Sequence, residues 1–286
     1  MKKQQILHKL FGRLRKNILF SKLMEKTGKD IKNKKWIFIV GCYNSGTTLL
    51  DQILASHPEI SGLPDEGVVL TDQLVTPEDF NWRRMWWKCK KEMKNSEIDV
   101  KKDAAKVKKH WSHFYDFKKS YFVEKSISNS LRIPFFNKHF KPAYFIHIVR
   151  NGYAVAEGIK RKAEVMDGNP LYGNESYPIE MCAEQWVQSL QIIEETKTEL
   201  DHFLEINYED LSENPNKVIN EIMDFLNLEK VDQDIAANKF QIHEKNSTIK
   251  NMNSRSISKL SKAEIAAINK VAGAYLTKYG YETLEA

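Results

Sequence analysis

A chain of 286 residues is long enough for one large α/β domain with a substantial hydrophobic core. Its composition, 42% hydrophobic and 29% charged with few Gly and Pro, excludes a disordered or collagen-like protein. The net charge of +6 is concentrated at the start, since residues 1–35 carry twelve Lys and Arg against two acidic residues. The remaining chain therefore carries a net charge of −4, which argues against a general nucleic-acid-binding surface.

Cysteine usage and hydropathy predict the compartment. Cys42, Cys89 and Cys182 are widely spaced and include no CxxC pair, so neither a disulfide framework nor a zinc site is expected. No apolar run reaches the roughly 18 residues of a transmembrane helix. The N-terminus also lacks the uninterrupted apolar stretch and small-residue cleavage site of a secretory signal. These features together predict a cytoplasmic protein.

The basic N-terminal region predicts an amphipathic helix. Residues 4–26 place apolar side chains near helical spacing with Lys and Arg between them. Such a helix either packs on its own domain or on a partner subunit, or it lies on an anionic membrane surface. A polar, Lys-rich linker follows over residues 27–35. The chain thus divides into a basic amphipathic extension, residues 1–35, and a domain, residues 36–286.

Short apolar runs alternate with helical patterns along the domain. Buried strands are predicted at residues 36–40, 121–123, 144–149 and 203–207. A helix over residues 47–56 follows the first strand and ends at His57-Pro58, and another begins near Pro215. Strands that alternate with helices indicate an α/β fold of three layers, with a mostly parallel sheet at its centre.

A glycine-rich loop, Gly41–Thr48, lies between the first strand and its helix. Its glycines permit a backbone that wraps an anion with N–H groups, and the helix N-terminus adds partial positive charge. Its spacing matches the GxxxxGK[ST] phosphate loop, except that Thr47 replaces the lysine that reaches the β- and γ-phosphates. A nucleotide with a single 5′-phosphate is therefore favoured over a triphosphate. The candidate phosphate ligands are Ser45, Gly46, Thr47 and Thr48.

The sequence here resembles the sulfotransferases that use 3′-phosphoadenosine 5′-phosphosulfate (PAPS). Gly41–Leu50 is similar to their 5′-phosphosulfate loop, P-[KR]-S-G-T-T followed by two apolar residues, and the similarity extends over roughly residues 36–282. It looks closest to the branch of tyrosylprotein sulfotransferases and bacterial relatives. The resemblance implies a P-loop-type fold, PAPS as donor, 3′-phosphoadenosine 5′-phosphate (PAP) as product, and no metal. The acceptor would be a hydroxyl or amine of a saccharide, lipid, protein or small molecule.

The resemblance also assigns the second phosphate of the nucleotide. Arg150 follows the strand at residues 144–149, where a fixed cation lies at the ligand-binding edge of a sheet. Family members bind the 3′-phosphate with an Arg at this position, and Lys162 falls where tyrosylprotein sulfotransferases have a further phosphate-binding Arg. Tyr208 corresponds to a nucleotide contact. A loop near the C-terminus resembles the one that closes over the nucleotide, and it contributes Asn253, Ser254 and Lys259.

Three catalytic candidates follow from the resemblance and from the demands of sulfuryl transfer. A base must accept the proton of the nucleophile, and positive charge must stabilise the transferring group and the leaving phosphate. Glu66 corresponds to the general base, with Asp65 as the alternative. Lys125, with Asn129 as a helper, corresponds to the lysine that steadies the sulfuryl oxygens. Asn44 stands where the family has Lys or Arg beside the leaving oxygen.

Two departures from the family pattern leave other functions open. Asn44 can donate a hydrogen bond but carries no charge, and a charged hydrogen bond is worth about twice a neutral one. Gly158 stands where the family usually has a phosphate-contacting serine. A catalytically impaired protein that binds PAPS or PAP is therefore one alternative. A P-loop nucleotide kinase is another, although Thr47 in place of the lysine argues against it.

Residues 80–120 differ from the rest of the domain in composition, being rich in Trp and Lys, and are predicted to form an insertion on the acceptor side. Trp82, Trp86 and Trp87 stand among basic residues, and either pack inward or form a surface that binds the acceptor. His110 and His113 lack a third ligand at metal-binding spacing, so no metal is expected. One of these histidines is an alternative candidate for the base.

Overall fold

A five-stranded, entirely parallel sheet forms the centre of the computed structural model, which describes residues 13–231, 234–237, 240–242 and 245–286. Its strands are β1 (Lys35–Gly41), β2 (Ile60–Gly62), β3 (Tyr121–Lys125), β4 (Ala143–Val149) and β5 (Phe203–Asn207), arranged in the order β2-β3-β1-β4-β5. The parallel sheet and its four predicted strands are confirmed. The sequence did not predict β2, because three residues are too few to show periodicity.

Helices cover both faces of the sheet, which confirms the predicted three-layer α/β fold. They are α1 (Ile18–Thr27), α2 (Thr47–Ala55), α3 (Lys90–Asn95), α4 (Glu97–Val100), α5 (Ala104–Trp111), α6 (Ile133–His139), α7 (Gly152–Lys162), α8 (Ile179–Thr196), α9 (Tyr208–Glu213), α10 (Pro215–Leu226), α11 (Asn253–Ile257) and α12 (Lys262–Lys278). A short antiparallel hairpin, β6 (Phe240–Ile242) and β7 (Lys245–Ser247), precedes α11.

Alternating side chains of β1 build two separate cores. Ile37 and Ile39 face one side of the sheet, where they belong to a cluster with apolar residues of α2 and α10. Trp36 and Phe38 face the other side and join an aromatic cluster whose rings include Trp111. Because a strand covered on both faces must be apolar throughout, β1 appears in the sequence as an unbroken hydrophobic run.

The strand order directs the functional residues to one edge. From β1 the chain passes to one side of the sheet for β2 and β3, and to the other side for β4 and β5. In open α/β sheets a ligand crevice forms where the strand order reverses, outside the carboxyl ends of the strands. All five strands point their carboxyl ends toward this edge because the sheet is wholly parallel.

The described part of the N-terminal extension, from residue 13 onward, packs against the domain. In α1, Ser21 and Met24 are buried against α5, and the Arg15 guanidinium pairs with the Asp79 carboxylate at 2.9 Å. The predicted linker is also anchored, since Lys34 Nζ donates to the carbonyls of Phe117 and Lys119. The first part of the predicted amphipathic helix, residues 4–12, lies outside the described residues.

His110 and His113 both lie beside α1. His110 is fully buried, with Thr71 Oγ1 at 3.0 Å, and His113 Nε2 lies 2.9 Å from the Met24 carbonyl oxygen. Both histidines therefore support α1.

Among the described residues no group of side chains is arranged to hold a metal ion, and none of their helices combines the length and hydropathy of a membrane span.

Candidate active site

A cavity of about 820 Å³ opens at the carboxyl edge of the sheet. The segments that follow the five strands contribute to its wall, and most of the residues predicted from sequence line it: Asn44, Gly46, Thr47, Thr48, Glu66, Lys125, Arg150, Lys162 and Tyr208. Ser45 lies within the same loop but is almost completely buried. Ser254 is exposed and does not line the cavity, whereas Ser256, two residues further on, does. The sequence missed Ser256.

The backbone of Gly41–Thr48 adopts a loop suited to an anion. Gly46 has φ +93°, and a Cβ there would lie 2.6 Å from the Tyr208 ring, so only glycine fits. Asn44 also has positive φ, +63°, a conformation that Asn adopts more readily than most residues. No side chain caps the start of α2, so its first N–H groups remain available to a ligand.

Arg150 is fixed by the chain through two of its three guanidinium nitrogens. Its Nε donates to Asn253 Oδ1 at 2.8 Å, and its Nη1 donates to the Asn44 carbonyl at 2.6 Å. The guanidinium also lies 4.2 Å from the centre of the Tyr208 ring. Its Nη2 is buried without a hydrogen-bond partner in the described chain. The arrangement holds the cation rigidly while one donor stays available.

Tyr208 and Glu209 hold together the side of the cavity that contains Arg150. The Tyr208 hydroxyl donates to the Lys250 carbonyl at 2.9 Å and accepts from the Met252 N–H, so it anchors the loop before α11. Glu209 accepts hydrogen bonds from the Asn151 backbone and from the Asn253 amide. Tyr208 therefore positions its neighbours in addition to lining the cavity. Sequence reasoning missed Glu209, because the pattern at the start of α9 does not show which of its carboxylates contacts other elements.

Positive charge accumulates on this side of the cavity. Burial, followed by the nearby Arg84, Arg161 and Arg150, lowers the pKa of Lys162 to about 8. Glu157 opposes this shift but does not cancel it. Three arginines thus add to the effect of burial, and together they place more positive charge near Lys162 than Glu157 balances. An anion bound in the cavity would relieve that repulsion.

Glu66 and Lys125 form the central ion pair on the opposite side. Lys125 Nζ lies 2.9 Å from Glu66 Oε1. Burial alone would lower the pKa of Lys125, but the carboxylates of Glu66, Asp51 and Asp65 raise it above its ordinary value. Asp65 Oδ1 accepts from the Glu66 backbone N–H at 2.7 Å, so this carboxylate supports the turn. Of the two candidate bases, Glu66 is thus the one bound to the Lys125 ammonium at 2.9 Å.

A buried carboxylate behind this pair fixes its geometry. Glu124 is 1% exposed and accepts hydrogen bonds from the Gly67 N–H at 2.9 Å, from Asn129 Nδ2 at 3.1 Å, and from the Ser126 hydroxyl. Burial raises the pKa of Glu124 to about 7. The turn that carries Glu66 is thereby tied to the end of β3, which carries Lys125. Asn129, the predicted helper, acts through Glu124.

Known proteins can now be compared with this arrangement. A sequence profile described as the sulfotransferase family matches residues 37–233. The chain belongs to the sulfotransferase family. No curated protein sequence matches it.

Solved sulfotransferases share the fold at low sequence identity. The sulfotransferase domain from the curacin biosynthetic pathway is 19% identical, with 89% of this chain and 100% of that chain covered and a TM-score of 0.56. Sulfotransferase STF1 from Mycobacterium tuberculosis is 12% identical, with 96% of this chain and 83% of that chain covered and a TM-score of 0.54. Sulfotransferase STF9 from Mycobacterium avium is 13% identical, with 90% of this chain and 79% of that chain covered and a TM-score of 0.52.

Within this sulfotransferase, the two departures from the expected pattern lie in direct contact. A Cβ on Gly158 would lie 3.0 Å from Asn44 Cγ and 3.2 Å from its Nδ2. The absence of a side chain at position 158 therefore leaves room for the Asn44 amide, and Asn44 Nδ2 is itself buried without a hydrogen-bond partner among the described residues. The two residues form one local unit.

The insertion predicted at residues 80–120 contributes cations to the cavity but not its tryptophans. Arg83 and Arg84 line the wall. Trp86 is fully buried, and Trp82 stacks on Tyr177 with ring centres 5.9 Å apart. Trp87 donates from its indole N–H to the Met181 carbonyl. Of the two predicted alternatives for these rings, the structure therefore supports inward packing.

Proposed function

We propose that this sulfotransferase uses PAPS as its donor and transfers the sulfuryl group to a hydroxyl or amine. One observation carries the proposal: Asn44 Nδ2, Ser45 Oγ and Arg150 Nη2 are all buried and lack hydrogen-bond partners within the described residues. Arg150 contacts the loop that holds the other two. A buried polar group without a partner costs about 1–3 kcal/mol, so three together favour a site completed by an anionic ligand.

The charges suit a nucleotide with two separated phosphate groups. The loop and the uncapped start of α2 fit a 5′-phosphosulfate, and Arg150 with Lys162 fits a 3′-phosphate. Arg255 and Lys259, from α11 and the turn after it, extend the cationic wall. Thr47 occupies the position of the lysine that a triphosphate requires, which argues against the nucleotide-kinase alternative.

The other side of the cavity provides the groups that the transfer requires. When bound, PAPS supplies the sulfuryl group, which sulfur–oxygen cleavage releases from the nucleotide. Glu66 accepts the proton of the attacking hydroxyl or amine, and Lys125 holds Glu66 in place while its charge stabilises the sulfuryl oxygens. Asn44 Nδ2 donates a hydrogen bond to the leaving oxygen. Glu124 positions the turn and does not contact the reacting atoms.

The nucleotide site can be tested by thermal unfolding of the full chain with PAP, with ADP, and with ATP plus Mg²⁺. A ligand at about one hundred times its dissociation constant adds roughly 2.7 kcal/mol to the free energy of unfolding. We expect stabilisation by PAP far beyond that by ADP. Stabilisation by ATP plus Mg²⁺ alone would support a kinase, and no shift with any nucleotide would refute the proposed site.

Catalysis is tested separately, because a protein that binds PAPS without turning it over would give the same shift. Transfer of radiolabel from PAPS is measured with acceptors from each class: saccharide, lipid, protein tyrosine and small metabolite. We expect turnover by the native protein with at least one class. Activity that appears only after Asn44→Lys would instead identify a catalytically impaired binding protein.

A further inference from the structure

The outward face of α1 is apolar and cationic at the same time. Ile18, Leu19 and Leu23 are 70%, 78% and 55% exposed. Among the described residues these are half of the large hydrophobic side chains that are exposed, and they lie within six consecutive positions. Lys22 and Lys26 project from the same face, because positions 18, 19, 22, 23 and 26 cover one side of a helix.

The opposite face of α1 is fully used by the domain. Ser21 and Met24 are buried, Phe20 packs against the core, and the Ser21 hydroxyl binds Asp72. Ile18, Leu19 and Leu23 therefore do not belong to the face of α1 that packs on the domain. They are a second surface for which the described part of the chain provides no cover.

We propose that this face of α1 docks on an anionic lipid membrane. Charge complementarity selects the occupant: the face carries Lys22 and Lys26, and neither forms an ion pair with a described carboxylate. Glu25, the acidic residue of α1, is directed to the side, where Lys106 lies 3.8 Å away. Apolar side chains inserted among headgroups, flanked by lysines that bind lipid phosphates, form the pattern of an interfacial helix.

Such binding would hold the catalytic cavity at a fixed orientation to the lipid surface. Arg15, just before α1, binds the Asp79 carboxylate through its Nη2 at 2.9 and 3.0 Å, and its Nη1 contacts the Val68 carbonyl. Lys16 Nζ also lies 2.6 Å from Asp79 Oδ1. Val68 lines the cavity, and so do residues of the 3-10 turn that contains Asp79. The helix is thus attached to the same wall that lies beside Glu66.

The test is cosedimentation of the full chain with phosphatidylcholine vesicles that contain or lack phosphatidylglycerol. The native protein should bind the anionic vesicles, and Ile18→Ser, Leu19→Ser and Leu23→Ser together should lower the partition coefficient at least about tenfold. Lys22→Gln and Lys26→Gln should each lower it about fivefold. The matched control is Ile98→Ser with Val100→Ser, since these side chains are also exposed but lie on α4. The control should bind as the native protein does.

Several results would overturn the proposal. These are equal binding by the native and triple-serine proteins, an equal loss in the α4 control, or equal binding to both kinds of vesicle. Light scattering that shows a native dimer converted to a monomer by the triple substitution would identify a second copy as the occupant. A marked loss of thermal stability in the triple variant would mean that the chain itself covers the face. None of these results depends on PAPS, so this proposal fails or stands separately from the proposed activity.

Discussion

The two sides of the cavity differ in how their charges are balanced. On the proposed nucleotide side, three arginines add to the burial that lowers the pKa of Lys162, and several buried donors lack partners among the described residues. On the proposed acceptor side, Lys125 is paired with Glu66 and surrounded by further carboxylates. The first side therefore has donors that a bound anion would satisfy, whereas on the second side the Lys125 cation is already paired before any ligand binds.

This difference indicates that one side is suited to binding and the other to catalysis. Unpaired donors held rigidly provide binding energy, because their desolvation has occurred during folding. A paired base and cation provide reactivity, because the pair orients both groups without an external ligand. Substitutions on the nucleotide side should therefore change affinity, and those on the acceptor side should change turnover. The following predictions test that separation, beginning with the largest expected effect.

Arg150→Ala should weaken PAP binding by about a hundredfold, or roughly 2.7 kcal/mol, because a rigid cation and its free donor are lost. Isothermal titration calorimetry measures the change, and Arg150→Lys should recover part of the affinity. The control is Arg83→Ala, since Arg83 also lines the cavity but is paired with Glu164 at 2.9 Å. Unchanged affinity in Arg150→Ala, or an equal loss in Arg83→Ala, would contradict the assignment.

Glu66→Gln should lower turnover at least tenfold, a barrier increase of about 1.4 kcal/mol, because the amide cannot accept the proton. Its affinity for PAP should remain within about twofold of the native value, since the nucleotide side is untouched. Asp65→Asn is the matched control and should retain most of the turnover. If Asp65→Asn is the more damaging change, the base is Asp65, and the argument from the Lys125 contact is wrong.

Affinity for PAP should depend on pH through Lys162. Its pKa of about 8 in the unliganded site should rise when an anion binds, so binding takes up a proton between the two pKa values. Affinity should therefore be constant just below pH 8 and fall several-fold above it. Calorimetry in buffers of different ionisation enthalpy detects the proton. Lys162→Arg should abolish the fall.

The control for this pH dependence is Lys160→Met on the same helix. Lys160 Nζ is paired with Glu264 at 2.6 Å and does not line the cavity, so its removal should leave the pH profile unchanged. A profile that is flat in the native protein, or altered equally by Lys160→Met, would show that the proton is not on Lys162.

Gly158→Ala should have the smallest effect, about threefold on turnover, because the added methyl displaces the Asn44 amide by a few tenths of an ångström. Although Asn44 lies on the nucleotide side, it is the proposed donor to the leaving oxygen, so turnover should fall more than PAP affinity. Gly273→Ala is the control, since a Cβ there meets nothing within 4 Å and alanine favours a helix. Equal kinetics for the native protein and Gly158→Ala would remove Asn44 from the transfer step.

The elements that sequence predicted well are those with a strong local signal. The apolar runs of β1, β3, β4 and β5 and the glycines of the loop marked the sheet and its edge, and the structure places them there. The three-residue β2 was missed because period-two alternation needs a longer run. Ser254 was predicted and Ser256 was missed, because serines two positions apart in α11 face different sides and the sequence does not show which side meets the cavity.

The sequence by itself determined the α/β class, the anion loop at Gly41–Thr48 and the residue types available for transfer. Only the tertiary structure decided that Glu66 contacts Lys125, that Glu124 is a buried support and Glu209 a partly buried one, and that Gly158 leaves room for the Asn44 side chain. Periodicity and spacing report local backbone conformation, whereas these contacts join residues far apart in the chain. The parallel sheet brings them to one edge, and the packing of that edge decides which charge is paired and which donor remains available for a ligand.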